Sequence, residues 1–336
     1  MTRRARFARA LIAAALVAAV ALTGCAKPET AEQPTVPGID PKEFTAAKIG
    51  VLPTEDSLPL WVAEQDNLFQ RAGIPKVEIV MFQSAQERDA ALASGAIDGF
   101  MGDLIAAANL EAAGTPVTVL TLMLGSDPSQ GRFGIVASPK NGPKTLAEAA
   151  KSPIGTSSAT IQEYVLEGLL EEAGIDPAKV KREEVKKVPV RFELLMNGKL
   201  KSAALPEPFL SLAEASGAKV LAEDTSSDKN LSQTVLVMSD KFLTSEAAVN
   251  TADGILAAWD EAAGRIGANP EKFRALLIAR AKLPEKIATT YKIQTYPGHG
   301  LPAQAEVDAI LKWMKAKEYL KTNVTFEDLT LVTPPK

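Results

Sequence analysis

The chain has 336 residues, 46% of them hydrophobic and 23% charged, which suits a globular body of two domains or lobes and excludes extended disorder. Its formal net charge is −4, and an acidic chain is a poor nucleic-acid or anionic-membrane binder by bulk charge. A single cysteine excludes an internal disulfide and any multi-cysteine metal site, and no metal or cofactor is expected.

The chain opens with Arg3, Arg4, Arg6 and Arg9, followed by the apolar run ALIAAALVAAVAL (10–22). That run is too short to span a bilayer as a mature helix and has the layout of a secretory signal. It ends in Leu22, Thr23, Gly24 and Cys25, a tetrapeptide that resembles the bacterial lipobox, whose cysteine is lipidated and becomes the new N-terminus. Loss of residues 1–25 removes four arginines and no acids, leaving 33 basic against 41 acidic residues and a net charge near −8. Membrane contact is then expected through the lipid alone. Residues 26–46 hold Pro28, Pro34, Pro37 and Pro41 and little apolar content, and read as a disordered, extended tether.

An internal echo organises the body. SLPLWVAEQDNLFQRAGI and GTSSATIQEYVLEGLLEEAGI end in the same phrase, with Gly73 and Gly174 offset by 101 residues. Further on, Val77 and Val180, Arg88 and Arg191, and Gly95 and Gly198 are offset by 103. Each copy reads as a βαβαβ unit. In the first, KIGVLP (48–53) is a strand. A helix over 58–71 carries Pro59 in its first turn and stops at Gly73. VEIVMF (77–82) and IDGFMG (97–102) are strands around a helix at 86–94.

In the second copy, SPIGT (152–156) is a strand and 159–173 a helix with an apolar stripe at Ile161, Val165, Leu166, Leu169, Leu170 and Ala173. KREEVKKV (181–188) is a charged strand near an edge, 190–197 a helix, and SAALP (202–206) and AKVLAE (218–223) are strands. FGIVASP (133–139) and TVLVMSD (234–240) flank this copy and are expected as the two crossings. The residues from 241 to 319 read as mostly helical. The expected organisation is a signal peptide at 1–25, a tether at 26–46, lobe 1 from 47–136 and 237–320, an inserted lobe 2 at 137–236, and a C-terminal tail at 321–336.

Ligands of open parallel sheets bind outside the carboxyl ends of the strands, so both lobes are expected to face one cleft. The first strand of each copy is followed by Glu55, Asp56, Ser57 and Leu58, and by Thr156, Ser157, Ser158, Ala159 and Thr160. Two helix starts pointing N–H groups at a shared space would suit an anion or polar acceptor. Thr160 and Glu163 also read as a plain capping box. Asp103 and Glu207 each precede a helix, the latter between Pro206 and Pro208. Gln83 and Ser84 follow the second strand. Arg132 reads as a surface arginine or a rim counter-ion.

PLWVAEQDNLFQRAGI, ASGAIDGFMGDL and ALPEPF resemble segments of the nitrate/sulfonate/taurine-type periplasmic solute-binding proteins of ABC importers, within the NMT1/THI5-like superfamily. The likeness runs from about 48 to 270. It implies the α/β, two-lobe periplasmic binding protein type II fold. In that fold each lobe is a mostly parallel sheet flanked by helices, and two crossover strands serve as hinge. It implies ligand contacts at Ser57 and Leu58, at the second-lobe helix start including Ser157, Ser158 and Thr160, and at Glu207; Gln83 and Asp103 complete the expected site. It further implies a monomer anchored to a cell membrane at Cys25 and facing the extracellular side or the periplasm, with an ABC permease as partner and a small polar organic molecule or anion (sulfonate-, taurine- or nitrate-like) as ligand; a thiamine-precursor pyrimidine or similar heterocycle is the alternative.

Pro206 stands where relatives often carry an aromatic, which weighs against a pyrimidine-type heterocycle. Glu55, Asp56, Asp103 and Glu207 weigh against a simple sulfonate or nitrate. A surface lipoprotein signalling through a protein partner is a further alternative. An enzyme is not expected: His299 is the one histidine and sits in a Gly/Pro loop, and no nucleophile-elbow, Walker or H-E-x-x-H pattern is present.

Overall fold

Ten strands and thirteen helices follow one another along residues 43–330, the part of the chain that the structure, a computed structural model, describes. The expected signal segment, Cys25 and nearly all of the tether lie outside the described residues. The first part of the chain runs β1 (Ala47–Val51), α1 (Leu58–Gln65), α2 (Leu68–Arg71), β2 (Val77–Met81), α3 (Ala85–Ala93), β3 (Gly99–Asp103), α4 (Leu104–Ala112) and β4 (Val117–Leu124). The middle contains β5 (Phe133–Ala137), α5 (Leu146–Ala149), β6 (Ile154–Thr156), α6 (Ile161–Glu172), β7 (Arg182–Glu184), α7 (Val188–Met196), β8 (Ser202–Pro206), α8 (Phe209–Ala215) and β9 (Lys219–Glu223). The chain closes with β10 (Thr234–Ser239), α9 (Glu246–Ala268), α10 (Arg274–Ala281), α11 (Glu285–Ala288), α12 (Gln304–Ala316) and α13 (Phe326–Thr330).

The strands form two five-stranded sheets of matching order, β2-β1-β3-β10-β4 and β7-β6-β8-β5-β9. In each, four strands run one way, and the fourth in line, β10 or β5, runs against them. That strand is the one by which the chain arrives from the other sheet. The expected crossings at 133–139 and 234–240 are therefore strands inside the sheets, and the expected lobe edges at 137 and 236 fall within β5 and β10. The chain passes between lobes in the segments 125–132 and 224–233. These lie side by side: Ser232 Oγ donates to Gly131 O at 2.8 Å and Gln233 Nε2 to Gly125 O at 3.1 Å. At Gly125 φ is +85°, and a Cβ would stand 2.9 Å from Gln233 Cα, so glycine is required for the segments to touch.

Each sheet is buried on both faces. In β10, Val235 and Val237 face the core under α4 and α12, while Leu236 and Met238 face the core that holds Trp61, Trp259 and Phe273. In the second sheet Ile135 and Ala204 lie on one side and Val136, Ala203 and Leu205 on the other. Alternation with both faces covered explains why the strands read as continuous apolar runs. β7 is a charged edge strand of three residues, shorter than the expected 181–188, and α7 begins at Val188 rather than 190.

Two other local expectations are corrected. The helix expected over 58–71 is broken at Asn67, whose φ of 55° ends α1 and starts α2. Residues 321–330 are no loose tail, because Val324 and Leu329 are buried beside α4 and β4.

The echo at offset 103 has a structural meaning. Arg88 and Arg191 are 1% and 0% exposed. Arg88 Nη1 donates to Met101 O at 2.7 Å, and Arg191 Nε to Ala204 O at 2.8 Å, so the acceptors share the donors' offset. Each guanidinium ties the helix after the second strand of its copy to the middle of the third. Burial pulls the Arg191 pKa down to about 10. Arg191 also donates to Val185 O and Gln162 Oε1. Replacing Arg191 with Met leaves these buried acceptors unpaired and should cost about 3 kcal/mol. Urea unfolding measures this, and an unchanged midpoint would contradict the role.

Candidate functional site

The carboxyl ends of β1, β3 and β8 and the amino ends of β5 and β10 border one cleft, of about 540 Å3 with its mouth included. The first lobe contributes Glu55, Asp56, Arg88, Asp103 and Thr234, among others. The second contributes Arg132, Phe133, Ile161, Gln162 and Glu207. Leu52, Met101, Leu124, Val188 and Pro206 give it apolar walls. Only about 60 Å3 of the space is wide enough for water, so charges here are poorly solvated.

Four carboxylates line the space. Glu55 opens a 3-10 turn, Glu55–Ser57, between β1 and α1 and is 2% exposed. One of its oxygens, Oε2, accepts the Tyr291 hydroxyl, and its backbone carbonyl accepts the Tyr296 hydroxyl at 2.7 Å. These tyrosines ride the irregular segment after α11. It is held in place by Trp259, which stands edge-on to Tyr296 at 6.0 Å and donates to Pro297 O at 3.0 Å. Glu55 Oε1 is buried and has no hydrogen-bond partner among the described residues. Asp56 accepts the Thr54 hydroxyl at 2.6 Å, and Asp103 caps α4 by accepting Ala106 N–H at 2.9 Å. Glu207 accepts from Ser211 Oγ at 2.7 Å, from Ser211 N at 3.1 Å and from Arg132 Nη1 at 3.1 Å.

Burial pushes all four carboxyls above their ordinary range. For Glu55 the rise is large and the Glu207 charge across the cleft adds to it. Hydrogen bonding from Thr54 opposes the rise for Asp56, the Arg88 charge opposes it for Asp103, and Ser211 with Arg132 opposes it for Glu207. The two cations at the cleft are already engaged. Arg88 donates to Asp89 and to Met101 O. Arg132, 20% exposed, is bound by Glu207, Glu214 and Glu223 of its own lobe, so it is neither the free surface arginine nor the rim counter-ion of the two sequence readings.

Of the residues expected from sequence, the structure brings Asp103 and Glu207 to the cleft wall. Ser57, Leu58, Gln83, Ser157, Ser158 and Thr160 are not among its lining residues. The 3-10 turn carries Ser57 inward, where its hydroxyl donates to Leu52 O at 3.1 Å, and Leu58 enters the core. Gln83 N–H donates to Glu87. Ser158 bonds to Glu184 through both N–H and Oγ, and Thr160 caps α6 and donates to Ser157 O at 2.7 Å.

Ser157 lies at the seam between lobes, where it accepts from Gln86 Nε2 at 3.0 Å. Nearby, Lys187 pairs with Glu87 at 2.7 Å. On another side Trp313, Lys317 and Tyr319 donate to Glu163 and Glu167 of α6. His299 pairs with Asp260 at 2.6 Å in an exposed loop outside the cleft lining. Among the described residues no group of three or more His, Cys, Asp or Glu could hold a metal ion. None of their helices is long and apolar enough to cross a membrane.

A model of the NMT1-like family matches residues 40–280. The chain belongs to the NMT1-like family. Solved structures show what fold this NMT1-like chain shares. The alkanesulfonate-binding protein SsuA of Xanthomonas axonopodis pv. citri, bound to MOPS, is 19% identical with a TM-score of 0.70, over 82% of this chain and 94% of that one. The aliphatic sulphonate-binding SsuA of Escherichia coli is 21% identical with a TM-score of 0.69, over 85% and 97%. The nitrate-binding NrtA of Synechocystis PCC 6803 is 18% identical with a TM-score of 0.65, over 84% of each chain. At these identities the likeness establishes the two-lobe periplasmic-binding-protein fold. No curated protein matches the chain in sequence.

The crossing at 224–233 adds a titrating group behind the cleft of this NMT1-like chain. Asp224 accepts Phe133 N–H at 2.7 Å, and burial pushes its pKa up to about 7. A folded pKa above the unfolded value means that the folded state holds the proton longer, so stability falls as pH rises through about 4 to 7. Asp224→Asn should flatten part of the loss between pH 5 and pH 8, on the order of a few kcal/mol. Denaturation at each pH checks this, and parallel profiles for wild type and variant would contradict it.

Proposed function

We propose that the chain is a lipid-anchored solute-binding protein, not an enzyme, which captures one small polar molecule between its lobes and hands it to an ABC permease. The observation that carries this reading is the cleft: both lobes line it, and among the described residues the chain crosses between them at 125–132 and 224–233. A solute that touches both lobes binds the closed form better than the open one and shifts the population toward closure. Support comes from the family and from the sulfonate-binding and nitrate-binding proteins that share its fold. In this reading residues 1–25 direct export, Cys25 takes the lipid, and 26–46 tether the body to the outer side of the membrane. The body acts as a monomer, because one chain carries both walls of the cleft.

Native mass spectrometry of the chain taken from its own membranes in mild detergent tests both parts. The expected N-terminal residue is an acylated Cys25, and one small molecule should be retained per chain. An N-terminus upstream of Cys25 without lipid would refute the anchor. A chain that retains no solute, and whose melting temperature responds to no solute, would refute capture.

A further inference from the structure

We propose that the captured solute is a small organic cation, an ammonium or amidinium on a short apolar body, whose N–H donors meet Glu55 Oε1. This rests on the reading of the cleft as a solute site and names the chemistry it selects.

Charge is the first observation. Glu55, Asp56, Asp103 and Glu207 line the cleft against two guanidinium groups, Arg88 and Arg132. Arg132 is matched by three carboxylates, and Arg88 by Asp89 and a backbone carbonyl. An entering anion would meet carboxylates of both lobes and cations that already have partners. An entering cation would relieve the repulsion between Glu55 and Glu207, which line the cleft from different lobes.

The second observation is independent of charge. Asp56 and Asp103 each have an internal donor on one oxygen, Thr54 and Ala106, and Glu207 has donors on both, Ser211 and Arg132; none of the three has a buried oxygen left without one. Glu55 differs. Tyr291 and Tyr296 fix its position through Oε2 and the backbone carbonyl, and Oε1 is left buried without a donor. A buried acceptor without a donor costs free energy, which a ligand N–H recovers on binding. A charged donor makes that bond stronger than a neutral one.

The walls set the rest of the molecule. Leu52, Met101, Leu124, Ile161 and Val188 offer apolar contact, which suits a short hydrocarbon body and disfavours a second charge.

The experiment is a thermal-shift and calorimetric titration of the whole chain in detergent with propylammonium, acetamidinium, methanesulfonate and nitrate, on wild type and Glu55→Gln. Propylammonium or acetamidinium should raise the melting temperature of the wild type in a dose-dependent way, while the two anions leave it unchanged. Glu55→Gln should bind the active cation at least about 10-fold more weakly. The unliganded variant should melt no lower than wild type at pH 8, because glutamine has no charge to bury, and this separates lost recognition from lost folding. Stabilisation by methanesulfonate or nitrate with none by the cations overturns the inference and leaves solute capture standing. Equal cation binding by wild type and variant overturns it as well. No response to any of the four probes, from a chain that also retains no solute, brings down both this inference and the reading it rests on.

Discussion

Unmatched negative charge in a space with little room for water is the constraint around which this molecule is arranged. Carboxylates are placed there by the fold itself, since Asp103 ends β3 and the turns that leave β1 and β8 carry Glu55 and Glu207. In water such groups would repel one another weakly. Between two packed lobes the same charges interact through a poorer dielectric, and each is pushed toward its neutral form. The protein gives each of the four a donor of its own and leaves one buried oxygen, Glu55 Oε1, without any. The cation proposed above would recover on binding what that oxygen costs on folding.

The scaffold that holds these charges is a double one. Equal strand order, with the reversed strand in the same slot of each sheet, makes the halves structural counterparts despite little shared sequence. Each half keeps one buried arginine bonded to the third strand just before it delivers its acid to the cleft. The two connections between halves lie against each other and are joined by side chains such as Gln233, which reaches both Gly125 O and Glu306. A pair of adjacent connections permits rotation of one lobe on the other while limiting shear. Beyond the family match, α12 and the residues after it extend this frame by reaching Glu163 and Glu167 of the opposite lobe.

Much of this was legible in the sequence where local chemistry decided it. Apolar runs closed by turn residues marked β1, β2, β3, β6 and β8, because strands covered on both faces need no polar alternation. The offset between Arg88 and Arg191 marked equivalent positions, although only the structure shows the carbonyls they serve. Asp103 and Glu207 were readable as acids at strand ends. β4 was missed, since it falls between the two copies of the echo. The break at Asn67 was missed because no glycine or proline announces it. Ser57 and Leu58 were favoured over Glu55, and a single 3-10 turn reversed which of those neighbours faces the cleft. Tyr291 and Tyr296, which hold Glu55 in place, lie 236 and 241 positions away, and no spacing rule links residues so far apart.

The central claim is that Glu55 is an acceptor reserved for a donor from outside the protein. A crystal structure of the chain, purified from its own membranes without unfolding, tests it most directly. The account predicts electron density for a compact nitrogen-bearing molecule in the cleft, with a nitrogen about 3 Å from Glu55 Oε1 and contacts to both lobes. Density for an anion seated against Arg88 or Arg132, or a Glu55 side chain turned to take a donor from the protein itself, would contradict it.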